Sequence, residues 1–223
     1  MKRCYLVRHA QTAWNQENRL QGKTDLSLDL TGQAQAQALG EWFAAKPLAH
    51  VVTSSLARAR QTADAIVSAS GHRLKPIVDS AFEEMNLGVW EGLTADQVEQ
   101  NFPGAYRQWR IRPSSVTIPE GEAAEIFLSR VEDAFKRLRD TVSQDEECVV
   151  VTHGGVIAAL LAHLLQGSYD TFLCRLRLDN AGVTIIESGV RFPHVLQINS
   201  VSHLKILSPN PQDLDIPGVA AKR

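Results

Sequence analysis

The sequence predicts an α/β fold built on a mainly parallel sheet with both faces buried. Strand-like and helix-like segments alternate through most of the chain, the pattern of helices crossing over a parallel sheet. The strand candidates, above all Cys148–Thr152, are continuous apolar runs, as expected of strands covered on two sides. Residues 123–142 carry Phe127, Val131, Ala134, Phe135, Leu138 and Val142 on one helical face, the stripe that a covering helix needs.

In chain order, Cys4–Val7 is a short apolar strand ending at Arg8-His9. Thr31–Ala45 is rich in Ala, Gln and Leu with few β-branched residues, which favours helix, with Thr31 as its N-cap. His50–Thr53 reads as a strand. Ser54-Ser55 stands at the N-cap position before a helix over Leu56–Ser68, which Gly71 stops. Leu74–Val78 is another short strand, and Thr94-Ala95-Asp96-Gln97 forms a capping box for a brief helix ending near Pro103. The amphipathic helix precedes the strand Cys148–Thr152 and the strongly apolar helix Gly155–Leu165. Val183–Glu187 and His194–Ile198 read as later strands, and Leu196–Leu204 fits an extra strand, a lid or a homodimer contact equally well. No repeat, low-complexity tract or linker interrupts the chain. One domain over 1–223 is expected, with 208–223, which holds Pro209, Pro211 and Pro217, as a loosely held tail.

Composition excludes several classes. Of 223 residues, 44% are hydrophobic and 22% charged, values of an ordinary globular chain rather than a disordered or fibrous one. The net charge of −2 gives no general attraction to nucleic acid or to an anionic membrane. Three cysteines (Cys4, Cys148 and Cys174), an odd number with no CxxC, argue against a disulfide framework or a zinc site and read as buried thiols. The basic start leads into only a short apolar run, so no signal peptide is expected, and a reducing cytoplasm is the default compartment.

Chemistry concentrates at strand ends, where open α/β sheets bind ligands. Arg8 and His9 end the first strand. His153 follows an apolar strand, and Gly154-Gly155 open a helix whose free N–H groups suit an anion. Arg58 and Arg60 begin the helix after Ser54-Ser55. Two histidines and several arginines at strand ends suggest one pocket for a polyanion, most simply phosphate, since the arginine fork matches phosphate oxygens. Residues 1–60 hold eight Lys/Arg against four Asp/Glu, while 79–101 hold six carboxylates and no Lys or Arg. Each feature also has an ordinary reading: a structural histidine, a salt-bridged helix arginine, a solvated acidic face. His50, His72, His163, His194 and His203 take that reading outright. Gly22-Lys23-Thr24 looks like the end of a P-loop, but Glu17 stands where that motif requires glycine. The histidines lack metal-ligand spacing.

Leu6-Val7-Arg8-His9-Ala10-Gln11-Thr12 with Asn15 resembles the first motif of the histidine phosphatase superfamily, in its phosphoglycerate-mutase-like branch. The likeness continues through Gln21-Gly22, Leu30-Thr31-Gly32, Ser54-Ser55-Leu56-Ala57-Arg58, Glu84 to Gly92, Glu120-Gly121-Glu122 and Val151 to Gly155, in the family's order over roughly residues 3 to 187.

That resemblance implies a three-layer α/β/α sandwich. It implies that His9 is the nucleophile that becomes phosphohistidine, and that Arg8, Arg58 and His153 surround the phosphate oxygens. Asn15, Gln21, Gly22 and the Gly154 backbone match positions that bind phosphate or its ester, and Glu84 matches the general acid. Spacing alone does not choose Glu84 over Glu83. No metal and no cofactor are implied, because arginine and histidine supply the positive charge that phosphoryl transfer needs. Ala10 departs from the family's usual glycine. Glu84 and His153 are only 69 positions apart, whereas cofactor-dependent mutases of the family carry a longer insertion between these two positions. The expectation is therefore a phosphatase of small phosphorylated metabolites. A phosphoglycerate mutase is the alternative, and a silent phospho-ligand binder a third reading. Trp14, Trp109, Tyr106 and Arg107 are candidates for shaping the leaving-group pocket, with core or surface roles as the simpler account.

Overall fold

The computed structural model describes residues 1–69, 74–189 and 192–206. Gly71, His72 and the expected tail 208–223 lie outside them. The strands are β1 (Arg3–Arg8), β2 (Leu48–Thr53), β3 (Ile77–Val78), β4 (Glu147–Thr152), β5 (Val183–Glu187) and β6 (His194–Ser200). The helices are α1 (Ala13–Gln16), α2 (Leu30–Phe43), α3 (Ala57–Ala69), α4 (Ala95–Asn101), α5 (Ala105–Trp109), α6 (Ala124–Thr141), α7 (Gly154–Leu164) and α8 (Tyr169–Arg175).

One six-stranded sheet runs in the order β3-β2-β4-β1-β5-β6. Its first four strands are parallel, and β5 and β6 add on antiparallel. The period-2 pleat sorts the central strands between two cores. Cys4, Leu6, Cys148 and Val150 face a core shared with α6 and α7, while Tyr5, Val7, Val149 and Val151 face one shared with α2 and α3. This is the expected three-layer sandwich with a mostly parallel sheet. Both faces of β1 and β4 are covered, which is why those strands read as unbroken apolar runs.

Several local expectations change. Asp29 rather than Thr31 caps α2, its Oδ1 accepting the Gly32 N–H at 2.7 Å. Ser54-Ser55 does not cap α3. The Ala57 N–H is taken by Asp25 Oδ1 at 2.6 Å, from a distant loop, and the Ser54 hydroxyl turns to His153. The strand expected over Leu74–Val78 shrinks to Ile77–Val78, both exposed. Cys4 and Cys148 are buried but Cys174 is only partly so. Leu196–Leu204 resolves into the second half of β6 and part of a 3₁₀ turn. Among the described residues no helix is long and apolar enough to cross a membrane.

Candidate active site

Three parallel strands end at one level and carry the site. Beyond β1 the His9 N–H donates to the Thr152 carbonyl at 2.8 Å, and beyond β2 the Ser54 N–H donates to the Val151 carbonyl at 3.1 Å. This register continues the β-ladder by one residue on each strand and sets His9, Ser54 and His153 side by side. The His9 and His153 rings lie 5.1 Å apart between centroids.

His9 is 3% exposed, yet it lines the cavity. Its Nδ1 lies 2.7 Å from the Ala10 carbonyl, and the Arg58 Nε–H donates to its Nε2 at 3.2 Å. A carbonyl can only accept and a guanidinium can only donate. The pair therefore selects the neutral tautomer with the proton on Nδ1 and a lone pair on Nε2. Burial, then the positive charges of Arg58 and Arg8, pushes the His9 pKa well below its usual value.

Arg58 is fully buried although it sits on a helix. Its Nη1 and Nη2 donate to the carbonyls of Thr24 (2.8 Å) and Gly22 (2.7 Å). Arg60, two residues on, faces solvent, because two helical steps carry a side chain about 200° around the axis. Burial lowers the Arg58 pKa to about 10, which leaves it cationic at neutral pH. The 22–24 segment is held in turn by Glu91. Its carboxylate accepts the N–H groups of Lys23 (2.8 Å), Thr24 (2.9 Å) and Leu87 (3.1 Å), and the Thr24 hydroxyl. Gly22 adopts φ +51°, and a Cβ there would lie 2.1 Å from Glu91 Oε1. Only glycine fits that position.

Arg8 donates from Nη1 to the Leu178 carbonyl, while its Nε is buried without a partner. His153 is fully buried, with Nε2 2.7 Å from Ser54 Oγ. Ser54 Oγ already accepts the Leu56 N–H, so it is free to donate to that nitrogen and leave the proton on Nδ1, which has no partner. Burial, then Arg58, lowers the His153 pKa well below its usual value. Buried, unpartnered donors are rare and call for an explanation; here two of them flank His9.

Glu84 and Glu83 are told apart by direction. Glu83 pairs with Lys23 and Ser55. Glu84 points into the cavity, where its Oε2 accepts the Gly155 N–H at the start of α7 (3.0 Å) and its Oε1 the Met85 N–H (2.9 Å). Arg130 on α6 fixes the chain behind it, donating to the carbonyls of Ala81, Glu83 and Glu84 while paired with Glu122. The acidic run therefore is not a solvated face at Glu83, Glu84 and Glu91.

Every expected site residue except His153 lines one cavity of about 280 Å³. His153 is fully buried beside His9 and is not part of that lining. Asn15, Gln21 and Thr12 are tied together, Thr12 Oγ1 lying 3.1 Å from both Asn15 Oδ1 and Gln21 Oε1. A Cβ on Gly154 would meet only the Arg8 side chain, at 3.8 Å, so the backbone is bare there. Of the aromatic candidates only Trp109 lines the cavity. Trp14 packs against Gly92, Tyr106 stacks on Trp109, and Arg107 pairs with Glu99 at the surface. Sequence reading missed Glu91, Arg130 and the α8 wall around Tyr169 and Phe172. Glu91 lies inside a quoted motif, but nothing in its spacing says which backbone it holds.

Known proteins share this chain's sequence pattern and fold. Residues 4–201 match the family model described as histidine phosphatase superfamily (branch 1). A protein of Escherichia coli O1:K1 / APEC named probable phosphoglycerate mutase GpmB is 33% identical over 187 residues, 84% of this chain and 85% of its own. The fold is similar to Bacillus stearothermophilus YhfR, with TM-score 0.83 and 33% identity over 92% of this chain and all of that one (100%). It is also similar to a mycobacterial glucosyl-3-phosphoglycerate phosphatase solved with VO3, with TM-score 0.81 and 29% identity over 90% and 100% of the two chains. An α-ribazole phosphatase from Shigella flexneri gives TM-score 0.79 and 26% identity over 89% and 96%.

Proposed function

We propose that this chain, which belongs to branch 1 of the histidine phosphatase superfamily, is a metal-independent phosphomonoesterase acting through a phosphohistidine on His9. The observation that carries the reading is the pairing at His9. A neutral imidazole with its lone pair on Nε2 sits beside a buried guanidinium, a group whose fork suits phosphate oxygens. The lone pair attacks phosphorus, and the bond to the ester oxygen breaks. Arg58 and Arg8, which line the cavity, stabilise the charge that spreads over the equatorial oxygens, with the unpartnered His153 Nδ1–H buried beside His9. Asn15, Gln21, Gly22 and the Gly154 backbone hold the phosphate or its ester.

In the same reading Glu84 gives a proton to the departing alkoxide. Ionised, it then takes a proton from the water that attacks phosphohistidine, which releases inorganic phosphate and restores both groups. The proposal includes a single domain acting in the cytoplasm on a small-molecule ester, with no nucleic-acid or membrane partner.

A phosphoglycerate mutase is the second reading, favoured by the name of the curated relatives. Purified wild type and His9→Ala, assayed with EDTA on p-nitrophenyl phosphate, phosphoserine and 3-phosphoglycerate, separate the two. Phosphate release by wild type alone supports the phosphatase. Formation of 2-phosphoglycerate faster than phosphate release makes the chain a mutase. Turnover by His9→Ala removes His9 from the nucleophile's role.

A further inference from the structure

The cavity is chemically divided. Arg8, His9, Arg58, Glu84, Asn15 and Gln21 gather where the strands end. The rest of the wall is almost wholly apolar, drawn from Met85, Leu87, Trp109, Phe172, Leu173 and Leu176 among others. Among the described residues its one further cation is Arg19, which is already engaged through Nε and Nη1. It pairs with Glu17 at 2.6 Å and donates to the Gly92 carbonyl at 2.7 Å and to Gln97. Among the described residues its further polar side-chain groups are both neutral, the Trp109 indole N–H and the phenol of Tyr169. Tyr169 is 6% exposed, and burial followed by the charge of Glu84 raises its pKa well above the usual value. It therefore stays protonated as a neutral donor.

A second anion on the substrate would be taken out of water into this wall with no unpaired cation among the described residues to meet it, which is strongly unfavourable. An apolar group would gain from the same burial. Resting on the phosphatase reading, we propose that the leaving group is an uncharged, predominantly apolar or aromatic alcohol: the substrates are its phosphate monoesters, and phosphorylated carboxylic acids are excluded. α8 and Trp109 supply the selectivity. The Leu178 carbonyl, just beyond α8, also holds Arg8, so filling the apolar wall and setting the phosphate-side arginine involve adjoining backbone.

The test is a matched panel of alkyl esters, so that leaving-group acidity does not decide the order: 2-phenylethyl phosphate, glycerol 3-phosphate and 3-phosphoglycerate, with phosphate release and 2-phosphoglycerate both followed. The expected order of kcat/KM is phenylethyl first, by about tenfold or more over glycerol 3-phosphate, and phosphoglycerate last. Leu173→Asn, nearly isosteric but polar, is expected to shrink the phenylethyl-to-glycerol ratio. Phosphate released from all three esters with phosphoglycerate equal or first would overturn the apolar assignment and leave the phosphatase standing. Conversion of 3-phosphoglycerate to 2-phosphoglycerate without phosphate release would overturn both, as would no turnover of any ester.

Discussion

The Arg58 Nε–H donates to His9 Nε2 across 3.2 Å, so the imidazole lone pair is held by a cation. The contact does two things at once. It keeps a proton off Nε2, and in the proposed reaction it stations a guanidinium where charge would develop as that nitrogen attacks phosphorus. Arg58 reaches this place because its other two nitrogens are fixed by the carbonyls of Gly22 and Thr24.

Arg58→Ala is expected to lower kcat/KM by about 3 kcal/mol, roughly a hundredfold or more, the scale of losing one oxyanion donor. Arg58→Lys should recover little, since a point charge cannot reach His9 and both carbonyls together. Steady-state rates on p-nitrophenyl phosphate check this, and a near-wild-type Arg58→Ala removes the residue from the transition state.

Glu84→Gln should slow alkyl phosphates far more than p-nitrophenyl phosphate, because only the alkoxide needs a proton on leaving. Gly155→Ala should reproduce that signature. A Cβ at position 155 would lie 2.3 Å from Glu84 Oε1, and a carboxylate at the end of a flexible side chain yields more easily than the backbone. Thermal melting is expected to stay close to wild type. Equal losses on both ester types would take the proton-donor role away from Glu84.

Glu91→Ala should cost about tenfold or more in kcat by releasing the 22–24 backbone, with charged hydrogen bonds worth roughly 1.5–3 kcal/mol each. Because the effect runs through Arg58, it should largely disappear in an Arg58→Ala background. Glu91→Gln, which keeps one acceptor oxygen, should restore part of the rate. Additive losses in the double variant would assign Glu91 to stability alone.

Acid should destabilise the fold earlier than its carboxylates require. His9 and His153 both have pKa values pushed well below the usual one, chiefly by burial, and His203 is lowered by burial too. Unfolded imidazoles take up protons below about pH 6.5, while the folded ones do so only at lower pH. The unfolded state binds more protons in that window, so stability present above it is lost as pH falls through it. Melting temperature should drop between pH 7 and pH 5, and less steeply in His153→Asn. A flat profile there would contradict the buried neutral histidines.

The sandwich was legible in the sequence because its central strands are buried on both faces, and that leaves an apolar signature anyone can read along the chain. The strand-end histidines and Arg58 were legible through motif order. Caps were less so. Thr31 and Ser54 are good capping residues by type, but Asp29 and the distant Asp25 hold the N–H groups instead. A cap is won by whichever acceptor the tertiary fold delivers, and Asp25 comes from 32 positions away.

By itself, then, the sequence determined the layer order and the set of chemical groups, since periodicity and residue type are local properties. Spacing did not choose between Glu83 and Glu84; the resemblance pointed to Glu84, and the tertiary structure supplies the reason that this carboxylate faces the cavity. Glu83 and Glu84 are neighbours of one type, and the choice rests on Arg130 gripping the backbone behind them and on the Gly155 N–H ahead. The tertiary structure also decided the apolar wall, because α5 and α8 are more than fifty residues apart in the chain. They line the same cavity only once the sheet and α7 are packed.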